Sequence, residues 1–288
     1  MSSSDGHVLS STKIVDNGPN SDRWNLVIIG DGYRETEITK YHTDVENFLA
    51  TFRATAPFGE LFSGINVFRI DVVSTDSGAD DPGCGGGSPV TARTFFDATF
   101  CSRFGDRILE RLLTVNNTLA ISVADTHVQR RHQILCIVNA SKSGGSGGTI
   151  ATCSADASAA LTAIHEMGHS AFGLADEYGG DGSATPVGEP REPNVTRETN
   201  RANNKWRGLI SPTTPMPSQC EPSCTASTCI PPATPAAPGA VGTYEGAMYS
   251  NCNVYRPFAE CKMRGVTPPF CPVCESVIRA VLEQFVPS

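Results

Sequence analysis

The stretch TAIHEMGHSAFGLADEYGG, residues 162–180, holds two histidines four apart with a glutamate directly after the first. On a helix, residues four apart project from the same face about one turn apart, so the imidazoles of His165 and His169 converge. That separation suits two nitrogens on one Zn²⁺ at about 2.0–2.1 Å each. Glu166 lies about 100° further round the helix, badly placed to ligate the same ion and well placed to reach a water bound to it. A catalytic zinc site takes three protein ligands and one water, and lowers that water's pKa to about 7. Glu166 is then expected to accept the water's proton as it attacks a carbonyl, and to pass it on to the leaving amine. The bland alternative is polar decoration on a core helix. Chance places a His-Glu-x-x-His in a chain of this composition with a probability on the order of 1%, which favours the metal reading.

Gly173 follows at once, and a glycine there can take the left-handed conformation that ends a helix and turns the chain back. Such a reversal brings Asp176, seven residues after His169, toward the metal as third ligand. Glu177 is its close rival. If Asp176 ligates, Glu177 is expected to hydrogen-bond a ligand and orient it. The plainer reading of Asp-Glu-Tyr is a helix cap facing solvent.

These side chains need elements to hold them. WNLVIIGDGY (24–33) is a short apolar run closed by Gly-Asp-Gly and reads as a buried strand. Apolar residues then recur at helical spacing over 35–52, and INVFRIDVVS (65–74) reads as a second buried strand. This β-α-β order favours a parallel pair. SGADDPGCGGGSP (77–89) reads as a loop; its carboxylates depart from the EF-hand pattern and are left as a solvated loop. Helical spacing returns in FGDRILERLL (104–113), and TLAISVA and QILCIVNA read as two more strands. The Ala-rich segment over 155–172 is the strongest helix, with Ser154 or Asp156 as N-cap. Residues 181–243 are Pro-, Gly- and polar-rich and read as a long stapled loop, and CESVIRAVLEQFV ends the chain in a helix.

The bulk properties set limits. At 288 residues the chain can bury a sizeable core, and 39% hydrophobic with 18% charged residues fits a globular protein. It reads as a single domain over 22–288, with lobes over about 22–174 and 175–288, after an N-terminal extension over 1–21. Net charge is −8 and Arg130-Arg131 is the lone basic pair that stands out, so nucleic acid is not an expected partner. No run of 18 apolar residues exists, so no membrane span is expected. Eleven cysteines, several in Pro-rich loops, point to disulfides and a secreted protein whose signal is absent from this chain; the cytoplasm is the alternative. The odd count leaves at least one cysteine free. CPVC (271–274) has redox or zinc-knuckle spacing, but without a second pair a structural disulfide or buried thiols is the favoured reading. Asn116, Asn139 and Asn194 head glycosylation-type triplets, a pattern too short to decide anything.

HEMGHSAFGLADEY resembles the signature of the immunoglobulin-A peptidase family of zinc metallopeptidases, a branch of the metzincins. NLVIIGDGY, STDSGADDP, GGSGGTIAT, YRPFAECKMR and FCPVC extend the resemblance over about residues 24–285, with the Pro/Cys-rich stretch near 212–240 unplaced. The resemblance implies an α/β (α+β) metzincin-like zincin fold: a twisted mixed sheet, an edge strand lining the cleft, an active-site helix and a less regular C-terminal lobe. It also implies one catalytic Zn²⁺ and a methionine in a tight turn beneath it. Met263 in CKMRG fits that role, Met248 in EGAMYS is the alternative, and a plain core methionine remains open. Two departures stand out. Metzincins place glycine three residues after the second histidine and a third histidine three later, whereas Gly173 comes four after His169 and an aspartate replaces histidine.

The expected activity is a zinc metalloendopeptidase acting on a protein or peptide substrate. The segment GGSGGTIATCS, through Gly147, Gly148 and Thr149, is expected to bind that substrate as an added strand, its glycines letting another backbone approach. A flexible surface loop is the alternative. Tyr244, Tyr249 and Tyr255 are candidates to hydrogen-bond the oxyanion, among which the sequence does not choose, and a buried structural tyrosine is the favoured reading for any single one. Two other classes stay open: a catalytically silent zinc-containing binding or adhesion module, and a metal hydrolase of small amides. Intact Glu166 argues against the first, and an extended cleft would argue against the second.

Overall fold

The computed structural model describes residues 4–180, 187–224 and 228–287. Parts of the Pro-rich stretch read as one stapled loop, at 181–186 and 225–227, lie outside them. In chain order the elements are β1 (Gly6–Val15), β2 (Trp24–Asp31), α1 (Ile38–Ala54), β3 (Ile65–Ser74), β4 (Arg103–Phe104), β5 (Arg107–Ile108), α2 (Asn117–His127), β6 (Gln133–Val138), β7 (Gly145–Gly147), β8 (Ala151–Ser154), α3 (Ala159–Phe172), β9 (Tyr244–Ala247), β10 (Ser250–Arg256) and α4 (Pro272–Leu282). The protein is mixed α/β. Its contacts divide it into residues 1–171 with 282–288, and residues 172–281.

The first unit is built on a six-stranded mixed sheet in the order β1-β3-β2-β6-β8-β7. β2 runs parallel to β3 and to β6, and β6 parallel to β8, while β1 and β7 are antiparallel edges. Every residue of β2 and β6 is buried, as expected for central parallel strands covered on both faces, which is why they read as unbroken apolar runs. Val27 and Ile29 of β2 pack with Ile134 and Cys136 of β6 against Leu119, Ala120 and Val123 of α2. On the other side of β2, the Tyr41 hydroxyl of α1 donates to the Ile28 carbonyl at 3.0 Å. The apolar stripe of α1, through Tyr41, Val45, Phe48 and Phe52, is buried. β1, in the stretch read as an extension, has no buried residue and is half exposed, so its pairing with β3 left no apolar period to read.

Asp31, at the end of β2, is fully buried and anchors the following loops. Its Oδ1 accepts from Ser74 Oγ at 3.0 Å and from Phe96 N at 3.1 Å, and its Oδ2 accepts from Ala98 N at 3.2 Å. The neighbouring Gly32 has φ +69°, which a side chain would resist. In the loop over 77–89, Asp81 is held by Lys142 Nζ at 2.7 Å and Asp80 accepts from Ala92 N at 2.8 Å, so these carboxylates serve the loop itself.

Two sequence expectations are corrected. TLAISVA is helix α2 and not a strand: Asn116 caps it by accepting from Leu119 N at 3.1 Å, a local bond that a short apolar run conceals. FGDRILERLL is not a helix. Gly105, at φ +59°, turns β4 back on β5, and Phe104 and Ile108 are about half exposed while Leu113 is buried in the core, so the apparent stripe does not share one face.

The second unit has little regular structure: the antiparallel pair β9 and β10, most of α4, and loops. Ala175, Val195, Ala247 and Val254 form a small core. Cys220–Cys229 and Cys224–Cys252 are disulfides in this unit, and Cys84–Cys101 is one in the first. Cys136, Cys153, Cys261, Cys271 and Cys274 are buried free thiols. No helix among the described residues is long and apolar enough to cross a membrane.

Candidate active site

α3 is entered through Asp156, whose Oδ1 accepts from Ser158 N at 2.6 Å and from Ser158 Oγ at 2.8 Å. Ala163, Ile164 and Met167 are buried and fix the helix by its apolar side. It ends at Phe172, and Gly173 follows at φ +64°, the left-handed conformation foreseen for it.

His165 is 7% exposed, and Glu166 and His169 are half-buried. The two histidine Nε2 atoms stand 3.2 Å apart, with ring planes at 86°. Two nitrogens of a tetrahedral zinc site are separated by about 3.3 Å, given Zn–N of about 2.0–2.1 Å. A carboxylate oxygen of Glu166 and both histidines lie within 4.8 Å of one another. The donor set therefore fits a divalent metal.

β7 lies against this part of α3. A Cβ on Gly147 would stand 2.6 Å from the Glu166 carbonyl oxygen and 2.7 Å from His169 Cβ; one on Gly145 would stand 3.0 Å from Glu166 Oε1. Only glycines let the strand come so close. β7 is the last strand of the sheet, but its outer side is engaged at Gly145, whose N donates to Arg111 O at 3.1 Å and whose O accepts from Leu113 N at 3.4 Å. Gly148 and Thr149, beyond it, are exposed.

In the second unit, residues 175–178 are fixed from several sides. Asn194 Oδ1 accepts from Ala175 N at 2.8 Å, and its Nδ2 donates to Ala175 O and to Glu177 Oε1, both at 2.9 Å. Met248 N donates to Asp176 O at 3.0 Å, and Glu177 N donates to Met263 O at 2.7 Å. Both candidate methionines thus clamp this segment by their backbones; Met263 is fully buried, and Met248 has φ 50°. Asp176 and Glu177 point to different partners. Asp176 Oδ2 accepts from Tyr249 Oη at 2.5 Å, and Tyr249 Oη accepts from Tyr178 Oη at 3.3 Å. Glu177 is fully buried, its Oε1 accepting from Cys274 Sγ at 3.2 Å. Burial, and then Cys261, push its carboxyl well above the usual range.

Of the three candidate tyrosines, Tyr244 donates to Ala240 O at 2.8 Å, and Tyr249 alone of the three is bonded to Asp176. The role of Asn194 was missed. Its only sequence signal was a glycosylation triplet, yet its side chain is completely buried and spent on hydrogen bonds. CPVC carries thiols and no disulfide.

A comparison with curated proteins returns no match. The family model described as IgA Peptidase M64 matches residues 12–224 and 232–282. That match takes in β2, the His-Glu-x-x-His helix, the Asp-Glu-Tyr segment and CPVC, and the chain belongs to the IgA peptidase M64 family of peptidases.

Proposed function

We propose that this peptidase is a zinc-dependent endopeptidase in which His165, His169 and Asp176 hold the ion and Glu166 is the base. The observation that carries the reading is the 3.2 Å approach of the two histidine Nε2 atoms with the Glu166 carboxylate in the same cluster. When bound, zinc supplies Lewis acidity at the scissile carbonyl and the attacking water. Glu166 takes a proton from that water and delivers it to the leaving amine nitrogen. The third ligand rests on the seven-residue spacing from His169, on the left-handed turn at Gly173, and on a Glu177 carboxylate turned to Cys274. Tyr249 orients the Asp176 carboxylate, and Met263 underlies the segment through its bond from Glu177 N. The metzincin-like kinship is part of the same reading.

Substrate enters as an extended strand beside Gly147, Gly148 and Thr149, where the exposed end of the glycine-rich segment supports backbone pairing. The engagement of Gly145 by residues 111–113 limits that pairing to the far end of β7. Three disulfides support an oxidising, extracellular setting.

Incubation with casein and with a mixed peptide library, with and without 1,10-phenanthroline, tests the proposal. Internal bonds should be cut, and the chelator should stop it. Absence of chelator-sensitive cleavage on every substrate would overturn the reading.

A further inference from the structure

A second cluster of metal-ligating groups lies wholly within residues 172–281. Sulfurs of Cys261, Cys271 and Cys274 and a carboxylate oxygen of Glu177 lie within 4.8 Å of one another. All four residues are at most 2% exposed. We propose that these four residues form a closed tetrahedral Zn²⁺ site, separate from the histidine pair, that fastens the Asp-Glu-Tyr segment to the start of α4.

The distances favour an ion over a disulfide. Cys261 Sγ and Cys274 Sγ are 3.7 Å apart. A tetrahedral Zn–thiolate site, with bonds of about 2.3 Å, sets its sulfurs about 3.8 Å apart, whereas a disulfide needs about 2.05 Å. Six of the eleven cysteines are already paired elsewhere, and this trio stays reduced. Three sulfurs cannot all pair with each other, but with one carboxylate they complete a four-ligand set.

The surroundings are built for thiolates. Cys271 immediately precedes α4 and Cys274 sits in its first turn, where the helix dipole favours negative charge. Backbone amides point at sulfur: Cys271 N donates to Cys261 Sγ at 3.3 Å, and Cys274 N to Cys271 Sγ at 3.5 Å. The independent sign is Glu177. Its Oε2 is buried with no hydrogen-bond partner among the described residues, a costly state for a carboxylate that a cation would relieve. The buried Arg256 guanidinium also acts electrostatically on Glu177, offsetting part of the negative charge of the set. Soft thiolates select Zn²⁺ over Ca²⁺ or Mg²⁺. Full burial leaves no open position, so the site holds structure and does no chemistry.

The test uses the full chain with the histidine site disabled, His165→Ala/His169→Ala. Elemental analysis should find one zinc per chain. Replacement by Co²⁺ should give the near-ultraviolet thiolate-to-cobalt charge-transfer band, equal to that of the unaltered protein. Cys271→Ser should lower metal content by one equivalent and weaken the band; if that variant fails to fold, the cobalt spectrum of the histidine variant decides alone. A histidine variant without metal and without the band overturns the proposal. So does a Cys261–Cys274 disulfide found by mass spectrometry in the unaltered protein. Failure of the catalytic reading has a different signature: the unaltered protein would then carry a single zinc with the same band.

Discussion

The Tyr249 hydroxyl donates to Asp176 Oδ2 at 2.5 Å and itself accepts from Tyr178 Oη at 3.3 Å. A carboxylate held in this way keeps one orientation, and partners that orient a metal ligand are worth about 10–100-fold in metal affinity. Tyr249→Phe should therefore weaken zinc binding at the histidine site by about that factor, read by competition with a chromophoric chelator. An unchanged dissociation constant would show that the tyrosine does not serve the ligand.

Adjacent residues Asp176 and Glu177 distinguish the two proposed zinc sites. Asp176→Ala should remove one equivalent of zinc and all proteolysis, and leave the thiolate-to-cobalt band intact. Glu177→Gln should keep zinc at the histidines and disturb the band, since Glu177 Oε1 stands 3.2 Å from Cys274 Sγ. The opposite pairing of effects would make Glu177 the catalytic ligand.

Gly147 is a packing requirement. Its missing side chain would stand 2.6 Å from the Glu166 carbonyl and 2.7 Å from His169 Cβ, whereas one at Gly148 would meet nothing within 4 Å. Gly147→Ala should push β7 off α3, costing about 1–3 kcal/mol of stability, the usual range for overpacking. It should also lower kcat/KM with zinc retained. Gly148→Ala is the control, expected to leave stability unchanged in denaturant unfolding. Equal behaviour of the two variants would mean that β7 yields without consequence.

What the sequence revealed and what it hid have physical causes. β2, β3 and β6 were legible as short, largely apolar runs of buried strand, and α3 from its Ala-rich composition behind a capping Ser154 or Asp156. β1 was hidden because an exposed edge strand needs no apolar period. α2 was misread because a short apolar run does not distinguish strand from helix, and the deciding bond comes from Asn116, outside the run. In the candidate site, the convergence of His165 and His169 was readable from their spacing within one helix. Partners brought in from afar were not: Tyr249 lies 73 residues from Asp176, and Cys274 lies 97 from Glu177. No local spacing carries such pairings.

Burial is the first cause acting on Asp31 and raises its carboxyl from 3.8 to about 6, against the hydrogen bonds from Phe96, Thr94 and Ser74. A carboxyl with a raised folded-state pKa favours folding in its protonated form. That contribution is complete below about pH 3.8 and is lost as pH rises through about 6. The gap corresponds to about 3 kcal/mol. Urea unfolding between pH 4 and 7 should show this loss in the unaltered protein and not in Asp31→Asn. Parallel pH profiles for the two would refute it.

Glu166→Gln isolates the proposed proton transfer from metal binding. The amide keeps the size of the carboxylate and removes its basicity, while His165 and His169 keep their 3.2 Å approach. Zinc content should be unchanged. Turnover of a cleaved peptide should fall by about 10²–10⁴-fold, the usual contribution of a positioned general base. His165→Ala and His169→Ala should instead lose zinc and activity together, because two remaining ligands hold the ion poorly. The comparison turns on metal content measured in the same preparations as kcat. If Glu166→Gln lost its zinc as the histidine variants do, the glutamate would be a ligand. If it kept both zinc and full turnover, the proton would have to travel through another group, and the proposed mechanism would lose its base.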